Sequence, residues 1–380
     1  MRILCTARPL AGHVTPLLPL ADAAAARGHD VALATGEPEA ARLRGDGRTC
    51  FTAGLGADAR ERFAGRIAEL ATVAPDVRRA AFFAELFVGI ELGPRLADLH
   101  QIVERWRPDV LVHDAAEFAA PIAATRAGLP WATVGFGAMV PERVLEAAAV
   151  AAAPHWRTAG LEPLPRAGFA DRLYLDPFPP ALQTAEVARY PAARVRLTPP
   201  VLAAPERPAW LAGPAPVLYV TFGTVWNTRP DRFRAVLDAA AEVAGTVVVT
   251  TGAGVDRDAL GPRPAHVHVH AFVPQATLLP FCTAVVCHGG SGTLLGAAAH
   301  GLPQVVLPQG ADQFTNGALL ATAGAGRMLT GDVAPAVLRG AVAEALADGP
   351  LRRAAEHLRD EIDALPAPAD AVARIEALAA

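Results

Sequence analysis

"VVCHGGSGTLLGAAAHGLP", Val285–Pro303, sets an unbroken apolar run against a histidine, a cluster of glycines and an alanine-rich segment closed by a second glycine and a proline. An apolar run without alternation marks a strand buried on both faces, as in a parallel sheet. The spacing predicts strand 284–288, a turn, and helix 292–299. Gly289 and Gly290 allow a sharp turn and let a ligand approach the backbone with no Cβ in the way. Ser291 is a candidate cap for the helix. A helix N-terminus at the carboxyl end of a sheet strand offers free N–H groups and the positive end of the helix dipole to an anion. His288 at the rim adds a donor for a phosphate oxygen. A tight strand–helix turn that binds nothing is the competing reading of the same residues.

Working outward, "GLPQVVLPQGADQFTN" adds strand 303–308, which ends in Pro308, Gln309 and Gly310 before helix 312–323. Asp312 and Gln313 open that helix. A carboxylate and an amide side by side can hydrogen-bond several sugar hydroxyls, or serve as a cap and a surface polar residue. Upstream, strands 216–224, 246–251 and 266–272 alternate with helices 230–243 and 276–280. The first half has the same rhythm: strand 2–7, a helix with Leu17, Leu20 and Ala24 at helical spacing, then strand "DVALATG". Strand 109–113, helix 117–127 and strand 131–135 repeat it. Strand–helix–strand units of this kind imply an α/β fold with parallel sheets.

The rhythm breaks between Thr52 and His100. There "RRAAFFAELFVGIELGPRLADLHQIVERW" reads as helix with a wide apolar face that includes Phe82, Phe83, Leu86 and Phe87. A second helical insert spans 141–159. These faces either pack the core or wall an apolar acceptor pocket, with Phe82, Phe83 and Phe87 as its candidates. "LTPPVLAAPERPAWLAGPAP", Leu197–Pro216, is proline-rich and reads as a linker. A last helix is expected at 369–379. The predicted organisation is a domain over 1–198, a linker over 199–213, a domain over 214–365, and a terminal segment 366–380 that returns to the first domain.

Composition narrows the chemistry. The 380 residues are 52% hydrophobic with a formal net charge of -4. No basic footprint for nucleic acid or an anionic membrane is present. Every basic residue other than histidine is arginine, so a Schiff-base lysine, a P-loop lysine and a pyridoxal-phosphate anchor are all excluded. Cys5, Cys50, Cys282 and Cys287 fit no zinc spacing. The opening "MRILCTARPLAGHVTP" reads as a first strand rather than a signal peptide or a membrane span, and a cytoplasmic location is expected. "DRD" at 256–258 matches an acidic metal-binding pattern, but lies in a polar loop and reads as solvated. "GAG" at 252–254 is too short for a dinucleotide fingerprint.

The run Val273–Gly326, together with "GHVTPLLPLADAAAARGHDVALATG" near the start, resembles the nucleotide-sugar glycosyltransferases of the GT-B fold, most closely their bacterial natural-product branch. The resemblance implies two Rossmann-like domains whose parallel sheets face a central cleft. It implies that Phe272, Val273 and Gln275 hold the nucleobase, and that Phe222, Gly223 and Thr224 lie near the diphosphate. His288, Gly290, Ser291, Gly292 and Thr293 would bind the phosphates, and Asp312 and Gln313 the sugar. His13, just after Gly12 at the first strand's end, would be the catalytic base, with Gly12 on the donor-binding side, and Asp114 would be its supporting carboxylate. The chemistry agrees: an acceptor hydroxyl needs a base in contact, imidazole suits neutral pH, and a carboxylate on its other nitrogen fixes the tautomer.

The expected function is an inverting glycosyltransferase moving a deoxyhexose from a dTDP-sugar to a hydroxyl of an apolar aglycone. Its expected partners are those two small molecules, with no nucleic acid, no membrane span and no metal or other cofactor; a homodimer stays open. A nucleotide-sugar epimerase of the same fold, or a catalytically silent partner in a biosynthetic complex, are the alternatives.

Overall fold

The computed structural model describes residues 1–55, 58–70, 72–73, 75–197, 206–211, 213–223, 229–252 and 255–380. They form two compact units. The first comprises Met1–Pro177, Thr184–Leu197 and Pro366–Ala380, and the second Phe178–Gln183 and Thr198–Leu365.

The first unit is built on β1 (Arg2–Thr6), β2 (Asp30–Thr35), β3 (Cys50–Thr52), β4 (Val110–Asp114), β5 (Trp131–Val134), β6 (Tyr174–Asp176) and β7 (Ala192–Arg194). All pair in parallel in the order β3-β2-β1-β4-β5-β6-β7. The second is built on β8 (Val217–Thr221), β9 (Thr246–Thr250), β10 (Val267–His270), β11 (Ala284–Cys287), β12 (Gln304–Val306) and β13 (Gly326–Met328). These are also parallel, in the order β10-β9-β8-β11-β12-β13. Every residue of β4, β5, β8, β9, β11 and β12 is buried, which is why these segments show no alternation.

Four short strands, β3, β6, β7 and β13, have no counterpart in the sequence reading. Three residues are too few to carry a period. The helix Pro350–Asp363 was also not anticipated, although Leu351, Ala355, Leu358 and Ile362 recur on its buried face. Its remaining positions are largely charged and mask that stripe. The single helix expected through the phenylalanine run is instead three pieces: Pro75–Ala81, a π-helical stretch Phe82–Val88, and Leu92–Trp106.

One face of the first sheet is covered by Leu18–Ala26 and by the terminal helix Pro368–Ala379. Ala371, Val372 and Ile375 enter the same core as Ile3, Leu20 and Val112. Glu376 accepts hydrogen bonds from Arg27 (2.7 Å) and from His29 Nε2 (2.8 Å) at the surface. Among the described residues no helix is long and apolar enough to cross a membrane.

Burial, rather than this surface pairing, should hold the terminal helix. Ile375→Ala is expected to cost about 2–4 kcal/mol, the usual range for emptying a core position. Glu376→Gln is expected to leave the melting temperature nearly unchanged, since exposed ion pairs are screened by water. Calorimetry on both variants decides: a larger loss from Glu376→Gln would show that the charges do the holding.

Candidate functional site

Each sheet reverses its strand order once, and the sequence-predicted residues gather at those two points. In the first unit the reversal lies between β1 and β4. His13 sits in the helical turn Ala11–Val14 just after β1, and Asp114 is the last residue of β4. His13 Nδ1 is 2.8 Å from Asp114 Oδ1. The same oxygen accepts the N–H of Ala116 at 2.8 Å, and Oδ2 accepts the N–H of Arg8 at 3.0 Å. Burial pushes the Asp114 carboxyl up, but the charge and hydrogen bond of His13 and these two N–H groups outweigh it and hold it down at about 2. It is therefore an ionised, acceptor-only partner that requires a proton on His13 Nδ1. The His13 ring lies 4.6 Å from the Phe136 ring and remains partly open to solvent. Gly12 beside it is exposed, with nothing within 4 Å of where a Cβ would stand.

Beneath the pair lies a charged layer that the sequence reading missed. Arg8 is 2% exposed and makes a two-pronged hydrogen bond to Glu91, both arms 2.7 Å. Arg95 donates to Ala7 O at 2.9 Å and lies 3.9 Å from Glu117. Glu117 accepts the N–H groups of Ala119 (2.7 Å) and Ala120 (3.1 Å), capping the helix Ala119–Ala127, while burial pushes its carboxyl up to about 7. The available signal was charge inside otherwise apolar runs: Arg8 after "ILCTA", Glu91 in "FVGIEL", Glu117 in "DAAEFAAP". His113 closes the layer, with Nδ1 donating to Asp114 O (3.0 Å) and Nε2 paired with Thr133 Oγ1 (2.8 Å).

The phenylalanines divide. Phe83 is 5% exposed and packs against Phe87 and Phe118, so it belongs to the core and cannot line a pocket as first expected. Phe87 is half-buried, with the Arg8 guanidinium 3.5 Å above its ring centre. Phe82 is half-buried.

In the second unit the reversal lies between β8 and β11, whose ends pair Thr221 with Cys287. His288 follows β11. Its ring is clasped by two glycines: a Cβ on Gly223 would stand 2.6 Å from its Cε1, and one on Gly290 2.5 Å from its Nε2. Gly289 makes the turn at φ +86, where a Cβ would also strike Val306. Burial pushes His288 down to about 4, so the ring is neutral with a single N–H to give, and its Nδ1 has no partner among the described residues. The helix Ser291–Ala299 begins here with no side-chain cap. The N–H groups of Ser291, Gly292 and Thr293 are left over at its first turn.

Ser291 is thus not the cap that was expected. Its hydroxyl donates instead to Asp312 Oδ2 at 2.8 Å. The fully buried Asn316, another residue missed, ties that oxygen (3.0 Å) to Ser291 Oγ (3.0 Å) and Gly289 O (2.9 Å). Gln313 is 2% exposed and its side-chain oxygen accepts the N–H groups of Gln309 (2.8 Å) and Gly310 (3.1 Å). Ala311 is held at φ 54 between these residues, a left-handed conformation that costs a non-glycine residue about 1–2 kcal/mol. Phe272 is 76% exposed, an open aromatic platform beside the buried Val273. Gln275 Nε2 donates to Thr293 Oγ1 at 3.0 Å. Phe222 is core, edge-on to Phe233. Thr224 and part of the 252–254 glycine stretch lie outside the described residues. The 256–258 stretch is exposed.

Residues 22–195 match the erythromycin biosynthesis protein CIII-like N-terminal domain, and residues 234–378 its C-terminal domain. An L-demethylnoviosyl transferase of Streptomyces niveus is 33% identical over 97% of this chain and 96% of its own. Among solved structures, glycosyltransferase VinC in complex with dTDP superposes with a TM-score of 0.83 and 25% identity, covering 100% of this chain and 99% of that one. The spinosyn rhamnosyltransferase SpnG complexed with thymidine diphosphate gives 0.78 and 29%, covering 99% and 100%.

The two buried histidines make stability pH-dependent. Burial pushes His113 down to about 4, as it does His288. Both ionise near 6.5 once unfolded, so below that pH the unfolded chain takes up protons that the folded one refuses. Stability is full above about 6.5 and is lost as pH falls toward 4. At pH 5 each histidine should cost about 2 kcal/mol, 1.4 kcal/mol per pH unit over about 1.5 units. Glu117, whose carboxyl is pushed up to about 7, takes up its proton in the folded state over the same range and offsets part of this loss. Melting temperatures measured from pH 7.5 to 5 should still fall, and a rise would contradict the burial of these rings.

Proposed function

The chain belongs to the erythromycin biosynthesis protein CIII-like family of bacterial natural-product glycosyltransferases and has their GT-B fold; from that premise we propose an inverting transfer of a deoxyhexose from a dTDP-sugar to a hydroxyl of an apolar aglycone. The observation that carries the reading is the 2.8 Å contact between His13 Nδ1 and the ionised Asp114. It leaves the Nε2 lone pair as the one site on the ring that can take a proton. His13 Nε2 removes the proton of the acceptor hydroxyl as its oxygen bonds to the anomeric carbon. The bond from that carbon to the diphosphate oxygen breaks on the opposite side, which inverts the centre. Asp114 stabilises the imidazolium that forms.

The leaving diphosphate carries the developing charge. The N–H groups at the start of Ser291–Ala299 and the single N–H of neutral His288 are suited to receive it. Asp312, with one carboxylate oxygen tied to Ser291 and Asn316, offers its other oxygen to sugar hydroxyls, together with the Gln313 amide nitrogen. Phe272 is suited to stack on the base. The acceptor reading for Phe87 rests on its half-burial beside Arg8, and that for Phe82 on its half-burial alone. A cytoplasmic location and action on small molecules accord with this chemistry.

The nucleotide preference rests on Gly296, which lies eight residues after His288 on the helix that starts at the phosphate site and has no side chain to offer a ribose hydroxyl. A site that does not bond the 2′-hydroxyl carries no penalty for its absence. The two structural relatives named above are both complexes with thymidine diphosphate.

His13→Ala should reduce transfer by about 10²–10⁴-fold, the usual share of a general base, while dTDP affinity stays nearly intact. Asp114→Asn should slow turnover less severely, and added chelator should have no effect. Turnover with mass-spectrometric readout over a panel of nucleotide sugars and aglycones tests this. Near wild-type transfer by His13→Ala removes the base assignment, and epimerised donor formed without acceptor would favour the epimerase reading. In competition binding, dTDP should be at least as tight as UDP. UDP tighter by more than tenfold, about 1.4 kcal/mol, would overturn the donor assignment.

A further inference from the structure

The Nε2 atom assigned to the acceptor hydroxyl is not vacant in the ligand-free protein. Arg8 Nη1 lies 3.3 Å from it. A guanidinium has donors only and stays protonated, so the contact runs one way, from N–H to the Nε2 lone pair. Asp114 on the far side accepts only, so Nδ1 holds the ring proton. The two contacts select the same tautomer from opposite ends of the ring. The Arg8 contact has a second property that the Asp114 contact lacks: it exists only while Nε2 is unprotonated.

Arg8 is not free to choose another place. Its Nε and Nη2 are fixed by Glu91, its guanidinium face is covered by the Phe87 ring at 3.5 Å, and its own backbone N–H bonds Asp114. Arg8 and Glu91 side chains are 3% and 5% exposed, so the pair is dry and its geometry is held. One arm of a rigid fork therefore points at the base. At 3.3 Å that arm makes a long hydrogen bond, and a shorter one from an incoming hydroxyl would replace it at little cost.

We propose that Arg8 is a positioning residue that keeps the His13 Nε2 lone pair occupied and aimed until an acceptor hydroxyl displaces it, and so withholds the base from water. The proposal rests on His13 being the base. A water at Nε2 would give up its proton there while its oxygen bonded to the anomeric carbon and the nucleoside diphosphate left with the bonding electron pair. That is donor hydrolysis, the wasteful counterpart of transfer. A bulky aglycone hydroxyl brings the binding contacts of its whole body to the exchange; a lone water has only its own hydrogen bond to set against that of Arg8.

The test is the ratio of acceptor-independent donor hydrolysis to transfer. Arg8→Met alone would strand the Glu91 charge, so the pair is removed together as R8M/E91M, which leaves no buried unpaired ion. Its melting temperature and dTDP affinity establish that it is folded. The hydrolysis-to-transfer ratio should rise at least tenfold, and the added hydrolysis should vanish in R8M/E91M/H13A. R8K keeps the charge pair but lacks the planar fork that reaches Glu91 and His13 at once, and should raise the ratio severalfold, so the proposal stays testable if the double variant does not fold. A folded R8M/E91M or R8K with the wild-type ratio overturns the role of Arg8. That outcome is distinct from failure of the base itself, which would appear as transfer retained by His13→Ala.

Discussion

Parallel strands joined by right-handed crossovers cannot be added indefinitely in one direction. When the order turns back, the two loops at the turning point lead to opposite faces of the sheet and leave a gap above the strand ends. In this protein that happens between β1 and β4 and again between β8 and β11. His13 and Asp114, 101 positions apart in the chain, meet across the first gap. His288, Gly223 and the start of Ser291–Ala299 meet across the second. Without the reversal neither group would exist, because adjacent strands of unchanged direction carry their loops away on the same side.

The two gaps solve opposite electrostatic problems. On the proposed reading the first handles a proton, and it is backed by full charges taken out of water: Arg8 with Glu91, and Asp114 with its three hydrogen bonds. Such burial is costly unless every ion is matched, and removing one member of a buried pair typically costs about 3–5 kcal/mol. What it gives in return is a carboxylate that cannot pick up a proton and a ring that cannot flip. On the proposed reading the second gap receives an anion, and among the described residues no buried cation stands at it. It relies on backbone N–H groups and a neutral imidazole. A chain without lysine can manage diphosphate chemistry in this way because oriented dipoles cost far less to desolvate than an ammonium group.

Much of this was legible beforehand, for stated reasons. The long central strands are apolar throughout and the glycines at 289 and 290 sit at a real turn, so the parallel α/β architecture follows from pattern alone. His13 and Asp114 were named because they match the family that the sequence resembles, and His288 because a histidine and glycines close an apolar strand. The three-residue edge strands were invisible because they have no period. Arg8, Glu91 and Asn316 were invisible for a different reason: their importance lies in partners up to 83 positions away, which no local spacing reveals. Ser291 shows how a local rule yields to tertiary context, since its hydroxyl had a better acceptor in Asp312 than the helix end behind it.

The first unit is also discontinuous, its sheet made before the second unit and the helix that covers Ile3, Leu20 and Val112 made after it. On a ribosome these events are separated by the whole of 198–365. At about 5–20 residues per second, that is a wait of roughly ten to thirty seconds. For that interval the nascent first sheet has an uncovered apolar flank while a complete second unit assembles behind it. Newborn chains would be exposed to chaperone capture and to sticking to one another at this flank, and both hazards end when residues 366–380 clear the exit tunnel.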